Sequence, residues 1–274
     1  MGDVYFREVS RLHGIIKKKL RKGFYLLYNN RMINTVVHGD CLEEMQKIPD
    51  KSIDMILCDL PYGTTACKWD TIIPFEPLWE QYKRIIKDNG AIVLTASQPF
   101  TSALVMSNAK MFKYEWIWEK NAGSNFATLK HQPMKEHENI LIFSKNTTKY
   151  NPQMQERAET GKSRVKTPIK YDRYQEGGVY GDACQEIQSV MRPDLRYPRS
   201  IQKFNRERGL HPTQKPVALF EYLIKTYTNE GDLVLDNCAG SGTTAVACIN
   251  TKRNYILIEK EQEYIDIINK RLGK

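Results

Sequence analysis

Leu233-Val234-Leu235-Asp236-Asn237-Cys238-Ala239-Gly240-Ser241-Gly242-Thr243 runs from an apolar strand, past an acidic side chain, into a glycine-rich turn. In open α/β sheets, ligands bind beyond the carboxyl ends of strands, where glycines let backbone approach closely. The periodicity then predicts a helix over Thr243 to Asn250, a strand over Tyr255 to Ile258 and a closing helix over Gln262 to Arg271. Glu259 ends that strand, where a carboxylate can accept hydrogen bonds from both hydroxyls of a ribose. Ala245 stands where a dinucleotide fingerprint has its third glycine, which argues against a nicotinamide cofactor.

Upstream of this stretch, Pro216 opens a helix with Val217, Phe220, Ile224 and Tyr227 on one side. Far earlier, Ile53 to Cys58 reads as a buried strand leading into Asp59. Phe75 to Asn89 has a helical pattern that stops at Gly90, and Ala91 to Thr95 is the next strand. A helix follows Pro99. Met111 to Glu119 alternates, with Phe112, Tyr114, Trp116 and Trp118 expected on one face and the tryptophans in the core. Asn139 to Phe143 is a further strand, headed by His137-Glu138, which reads as structural. The alternation predicts an α/β fold, a mainly parallel twisted sheet with helices on both faces. From Ser144 to about Leu210 the apolar periodicity fails, so an irregular stretch interrupts one domain.

The 274 residues suffice for one large core, and no apolar run is long enough to cross a membrane. Without a recognisable targeting segment the cytosol is the expected compartment. The net charge of +9 is unevenly spread: residues 1–32 carry 8 basic and 2 acidic side chains, and residues 145–208 carry 14 and 8. Two basic regions flanking a slightly acidic body suit a phosphate backbone. Cys41, Cys58, Cys67, Cys184, Cys238 and Cys248 show no metal-ligand spacing, so no metal is expected and the thiols read as reduced and structural. None follows a proline, so the chain lacks the Pro-Cys nucleophile of cytosine-C5 methyltransferases.

The tetrapeptide Asp59-Leu60-Pro61-Tyr62 sits at the other strand end. It offers a carboxylate acceptor, a carbonyl held extended by the following proline, and a flat ring. It resembles the D-P-P-Y box of amino-methylating DNA methyltransferases, with Leu60 replacing the first proline. The glycine stretch resembles the same family's cofactor motif, with Asn237-Cys238 in place of Pro-Phe. His211-Pro212-Thr213-Gln214-Lys215-Pro216 resembles its other cofactor motif, and His38-Gly39-Asp40-Cys41-Leu42 its G-D-C segment. The motif order, catalytic box before glycine loop, resembles the permuted β-class.

The resemblance implies a Rossmann-like methyltransferase fold, circularly permuted, with a basic target-recognition insertion. It divides the chain into a basic extension (1–32), a catalytic half (33–144), the insertion (145–208) and a cofactor-binding half (209–274). It implies S-adenosyl-L-methionine as cofactor, held by Asp40, Cys41, Asp59, His211, Thr213, Lys215, Asp236, Cys238, Ala239, Gly240, Gly242, Thr243 and Glu259, with Lys215 and Thr213 meeting its carboxylate. Asp59 and the Leu60 carbonyl would grip an adenine N6 amine, Pro61 would set the turn, and Tyr62 would stack on the extruded base. Gly63, Thr64 and Thr65 read as a mobile loop closed by Trp69-Asp70, and Gln98-Pro99-Phe100 as either base-pocket lining or a plain helix start. Arg192, Arg196, Arg199, Arg206 and Arg208 are the expected contacts to duplex DNA, some of them to guanine edges. A homodimer and a cognate restriction endonuclease are the further partners the resemblance admits, and the DNA would hold the protein at the nucleoid. The competing readings are a cytosine-N4 enzyme, which usually carries Ser where this chain has Asp59, and a silent DNA-binding subunit with the same fold. Protein-glutamine or RNA amine methylation, which usually has Asn there, and a nicotinamide dehydrogenase fit less well.

Overall fold

A computed structural model describes residues 32–65, 67, 70–164, 194–207, 209 and 213–274. The expected basic arm up to residue 31, Trp69, Cys184, Arg192, Arg208 and His211 lie outside the described residues.

The first strands and helices are β1 (Thr35–His38), α1 (Cys41–Gln46), β2 (Ile53–Asp59), α2 (Phe75–Ile85), β3 (Ile86–Ala96), α3 (Phe100–Ser107), β4 (Phe112–Lys120) and β5 (His137–Phe143). After an intervening segment come β8 (Ile201–Phe204), α5 (Val217–Tyr227), β9 (Leu233–Asp236), α6 (Thr243–Asn250), β10 (Asn254–Glu259) and α7 (Gln262–Arg271). These strands form one sheet in the order β1-β10-β9-β2-β3-β5-β4-β8. Every pairing is parallel except those of β5, which runs against both β3 and β4.

The central strands are apolar on both sides because helices cover both faces. Ile56, Cys58, Leu235, Ile256, Leu94 and Leu141 pack under α1, α2 and α3. Met55, Leu57, Val234, Leu257, Val93 and Ile142 pack under α5, α6 and α7. One charge is buried within this seam. Asp54 accepts from Lys87 Nζ at 2.7 Å, Lys149 Nζ at 3.2 Å and the Leu233 N–H at 3.1 Å. Burial raises its pKa, but Lys87, the Leu233 N–H and Lys149 outweigh it, and the carboxyl ends below its ordinary value.

Two expectations need correction. The helix predicted to Asn89 ends at Ile85, since Ile86 turns to ψ 138° and pairs with Ile53, so residues 86–90 belong to β3. Gly90 is therefore no helix cap. A Cβ there would lie 2.8 Å from the Asp54 carbonyl oxygen, so the glycine permits close strand approach. The alternation of β4 also breaks, because a bulge between Phe112 and Tyr114 turns Phe112 to the opposite face. Trp116 and Trp118 are core residues as expected.

Residues 152–199 form a separate compact unit. Its described part holds the antiparallel pair β6 (Gln155–Glu156) and β7 (Leu195–Arg196) and the short helix α4 (Glu159–Arg164). Residues 200–207 belong to the main body, where Ile201 to Phe204 extend the sheet beside β4.

Candidate active site

Chain direction separates at β9 and β2. From β9 the chain passes through α6 to β10 on one side, and from β2 through α2 to β3 on the other. Such a switch point opens a crevice at the carboxyl ends of its strands. Because Met55 pairs with Val234 and Ile56 with Leu235, Leu57 falls opposite Asp236 and Asp59 lies two residues beyond it, so both strand ends meet at the mouth of that crevice. A cavity of about 680 Å³ occupies it, lined by the 59–62 tetrapeptide, residues 236–241, Thr213, Lys215, Thr243 and Glu259. The two motifs thus share one pocket.

On the β2 side, Asp59 Oδ1 accepts from the Tyr62 hydroxyl at 2.7 Å and from the Thr95 hydroxyl of β3. Its Oδ2 accepts from Lys215 Nζ at 2.5 Å. Leu60 is 3 % exposed and packs into the core, leaving its backbone to face the turn. The Tyr62 ring stacks on Phe100 at 5.1 Å with a 23° interplanar angle, and Lys215 Nζ lies 5.6 Å from its centroid. Burial, then the Asp59 charge, pushes the Tyr62 hydroxyl well up. Gln98 accepts from the Ser102 hydroxyl at 2.9 Å and Pro99 begins α3, so these two residues serve as a helix start.

The loop after Tyr62 is anchored. Asp70 accepts from the N–H groups of Gly63, Thr64 and Thr65 at 2.8, 2.9 and 2.7 Å. Burial raises its pKa, yet these hydrogen bonds prevail and hold it below the ordinary value.

Lys215 is a buried lysine with two carboxylates, since Glu138 Oε2 stands 3.4 Å from its Nζ. Glu138 Oε1 is held in turn by Lys120. Burial lowers the Lys215 pKa, but Asp59 and Glu138 reverse the effect and leave it raised. Glu138 is driven up by burial and down more strongly by Lys215 and Lys120. For Lys120, burial prevails over Glu138 and the pKa falls. Asp59, Lys215, Glu138 and Lys120 therefore alternate in sign along one wall.

The glycine loop needs two left-handed residues, Gly240 at φ 50° and Gly242 at φ 78°. The Gly240 N–H donates to Glu259 Oε2 at 2.7 Å, while Glu259 Oε1 takes the N–H groups of Lys260 and Glu261 at 2.9 Å. Burial nonetheless leaves the Glu259 pKa raised. Asp236 accepts from the Thr244 hydroxyl at 2.5 Å and from the Cys238 N–H at 3.1 Å. Burial pushes it up to about 7. Arg271 of α7 braces the loop through the Ser241 carbonyl at 3.0 Å. Asn237 accepts from the buried Tyr82 hydroxyl at 2.6 Å, and Cys238 packs on the apolar face beneath. Asp40 caps α1 through the Leu42 N–H at 2.9 Å and, with Cys41, lines the cavity.

The cavity volume lies within the range of sites for drug-sized ligands. Three of the roughly four acceptor positions of Glu259 are used, so one remains for a ribose hydroxyl. The glycines leave the loop backbone bare. The residues present fit a nucleoside-sulfonium cofactor.

Sequence reasoning missed Thr95, Lys120 and Glu138. Glu138 heads an otherwise apolar strand, a position at which a carboxylate signals a buried cation nearby, and the structure supplies Lys120 and Lys215. Of the expected DNA-contacting arginines, Arg206 is a strut: its guanidinium donates to the Gly123 carbonyl at 3.0 Å and its N–H to Asn121 at 2.9 Å. Arg196 and Arg199 lie in the separate compact unit.

The DNA methylase family pattern matches residues 53–270, from β2 into α7, and so takes in both strand ends of the crevice. The chain belongs to this family of N6- and N4-type DNA methyltransferases. The DNA adenine methyltransferase YhdJ of Escherichia coli strain K12 is 30 % identical, over 87 % of this chain and 82 % of its own length. The type II methyltransferase M.HpaI of Haemophilus parainfluenzae is 28 % identical, over 88 % and 74 %. Among solved structures, the M1.HpyAVI–SAM complex aligns with a TM-score of 0.58 and 25 % identity, over 88 % of this chain and 99 % of that one. PvuII cytosine-N4-specific DNA methyltransferase has a TM-score of 0.59 at 14 % identity and shares the fold. This DNA methylase is accordingly an S-adenosylmethionine-dependent methyltransferase with a mixed, mainly parallel sheet. Among the described residues there is no helix long and apolar enough to cross a membrane and no group of side chains that could hold a metal.

Proposed function

We propose that the chain methylates N6 of an adenine extruded from duplex DNA, at a specific recognition sequence. The observation that carries this reading is the Asp59 carboxylate, poised at the switch point between the base side and the cofactor side of one cavity. YhdJ, named as an adenine enzyme, supports the choice of base.

Adenine N6 is a poor nucleophile because its lone pair is delocalised into the ring. Asp59 and the Leu60 carbonyl, each accepting one amino hydrogen, localise that pair and orient it. Tyr62, its plane set by Phe100, lines the pocket for a stacked base. Bound S-adenosylmethionine supplies an activated methyl group on a sulfonium. Glu259 would hold its ribose, the Gly240 and Gly242 turn would admit its body, and Asp236, Cys238, Ala239, Asp40, Cys41, Thr213, Lys215 and Thr243, with the expected His211, would complete its surroundings. Asp59 also stabilises the positive charge that develops on N6. Orientation and electrostatics carry the catalysis.

In this reading the target-recognition insertion expected over 145–208 is carried by the compact unit 152–199, between the catalytic half (33–144) and the cofactor half (209–274), in permuted order, with 1–32 as a basic extension and 200–207 as part of the main sheet's body. Arg192, Arg196, Arg199 and Arg208 contact DNA, whereas Arg206 supports the pocket wall. A homodimer, a partner endonuclease and a cytoplasmic, nucleoid-bound location complete the proposal.

The test is mass spectrometry of nucleosides from duplex DNA incubated with enzyme and cofactor. N6-methyladenine is expected, and N4-methylcytosine would overturn the choice of base. Asp59→Ala should lower transfer by about 10²-fold or more while cofactor binding survives.

A further inference from the structure

The site as it stands presents a conflict. Methylation as proposed needs an Asp59 oxygen for the amino hydrogen of the base, yet both are engaged. Oδ1 receives two hydroxyls and Oδ2 receives the Lys215 ammonium at 2.5 Å. A base arriving at Oδ2 must use the one acceptor position left there, beside an ammonium that already neutralises that oxygen, and Lys215, only 5 % exposed, lines the cavity that the base enters.

The neighbouring strand holds an alternative. Glu138, on β5, is half-buried, and its buried Oε2 lies 3.4 Å from Lys215 Nζ. Among the described residues that oxygen has no hydrogen-bond partner, although Oε1 of the same carboxylate is bound by Lys120. A buried oxygen of an ionised carboxylate without a hydrogen bond is uncommon, and here the Lys215 ammonium at 3.4 Å offsets its desolvation only as an ion pair. Lys120 holds the carboxylate in place, so the free oxygen stays directed at Lys215. The four charges sum to zero with Lys215 at either carboxylate, so shifting the ammonium transfers no proton and leaves the wall neutral overall, with the Asp59 charge uncovered for the amine.

We propose that Glu138 is a positioning residue for methyl transfer: its free oxygen receives the Lys215 ammonium as the base docks, releasing Asp59 Oδ2 for the amino hydrogen. This rests on the amine-methylation reading above. The lysine then has a resting position on Asp59 and a working position on Glu138. In the resting position it shields the Asp59 charge while no base is present.

Glu138→Gln keeps the shape and removes the charge that competes for Lys215. It should lower kcat by on the order of 10–100-fold, with KM for cofactor and cofactor affinity by calorimetry unchanged. Base extrusion, read by 2-aminopurine fluorescence at the target position, should also be unchanged. In a Lys215→Met background, assayed at saturating cofactor because Lys215 also lines the cofactor side of the cavity, nothing remains to be displaced, so Glu138→Gln should change kcat less than about twofold. Wild-type kcat in Glu138→Gln, loss of cofactor binding, or an equal fall in both backgrounds would each overturn the role. A structure of the wild-type enzyme with duplex DNA and S-adenosylhomocysteine separates the two levels of the argument. A base amine at Asp59 with Lys215 on Glu138 supports the inference. A base amine at Asp59 with Lys215 still on Oδ2 sinks the inference alone, and no amine at Asp59 sinks the functional reading with it.

Discussion

At the residue scale, Leu60 divides its duties between side chain and backbone. The side chain fills the core beneath α2 and α3, while the carbonyl is the proposed second acceptor for the base. Leu60→Ala should therefore spare methyl transfer to within a few-fold and cost about 2–5 kcal/mol of stability, read as a lower melting temperature. Loss of transfer in a folded variant would show that the side chain itself shapes the site. Asp236 carries a second residue-scale consequence. Its folded pKa of about 7 lies above the ordinary 3.8, so the folded protein binds this proton more tightly than the unfolded chain. The associated stability is fully present below pH 4 and is lost as pH rises through 7, on the order of a few kcal/mol. Asp236→Asn should flatten the fall in melting temperature between pH 5 and 8, whereas an unchanged slope would contradict the assignment.

At the element scale, three consecutive residues of the turn after β2 are fastened by one side chain. Three backbone N–H groups converge on Asp70, so the expected mobile loop is latched over the cavity it lines. Hydrogen bonds to a charged acceptor are worth about 1.5–3 kcal/mol each. Asp70→Asn should speed limited proteolysis between residues 63 and 70 by about tenfold or more and raise KM for DNA. Because the folded pKa of Asp70 is lowered, its anchoring holds at neutral pH and disappears as pH falls through that value. A cleavage rate insensitive to the substitution would mean that other contacts hold the loop. The β9 turn uses the same economy. Where relatives of this type carry Pro-Phe, Asn237 is fastened by Tyr82 and Cys238 by apolar packing, so the turn keeps its shape with different residues.

At the scale of the whole molecule, the charge distribution should govern DNA affinity. The net charge of +9 is concentrated outside the catalytic body, and log affinity should fall linearly with log salt. Arg199→Ala should reduce the magnitude of that slope by about 1 and leave single-turnover methylation at saturating DNA unchanged. Arg206→Ala should instead impair turnover, because it loosens the Gly123 wall. Equal effects from the two variants would show that Arg206 touches DNA as well. Most of the sheet was legible in advance, since strands covered by helices on both faces must be apolar throughout and glycine turns punctuate them. The helix boundary at Ile85 was not, because Ile86 to Gly90 carries polar residues whose partners, Asp54 and Lys51, lie on the preceding strand and turn.

The amino-acid order alone determined the two chemical halves: an acceptor box after one strand and a glycine turn with a following Glu259 after another. Their chemistry is local, so it is written locally. Only the tertiary structure decided that Lys215 faces Asp59, and that Thr95, Glu138 and Lys120 complete the wall. Those five residues come from five separate segments, and the four charges among them acquire meaning only when burial removes water and leaves each to be balanced by its neighbour.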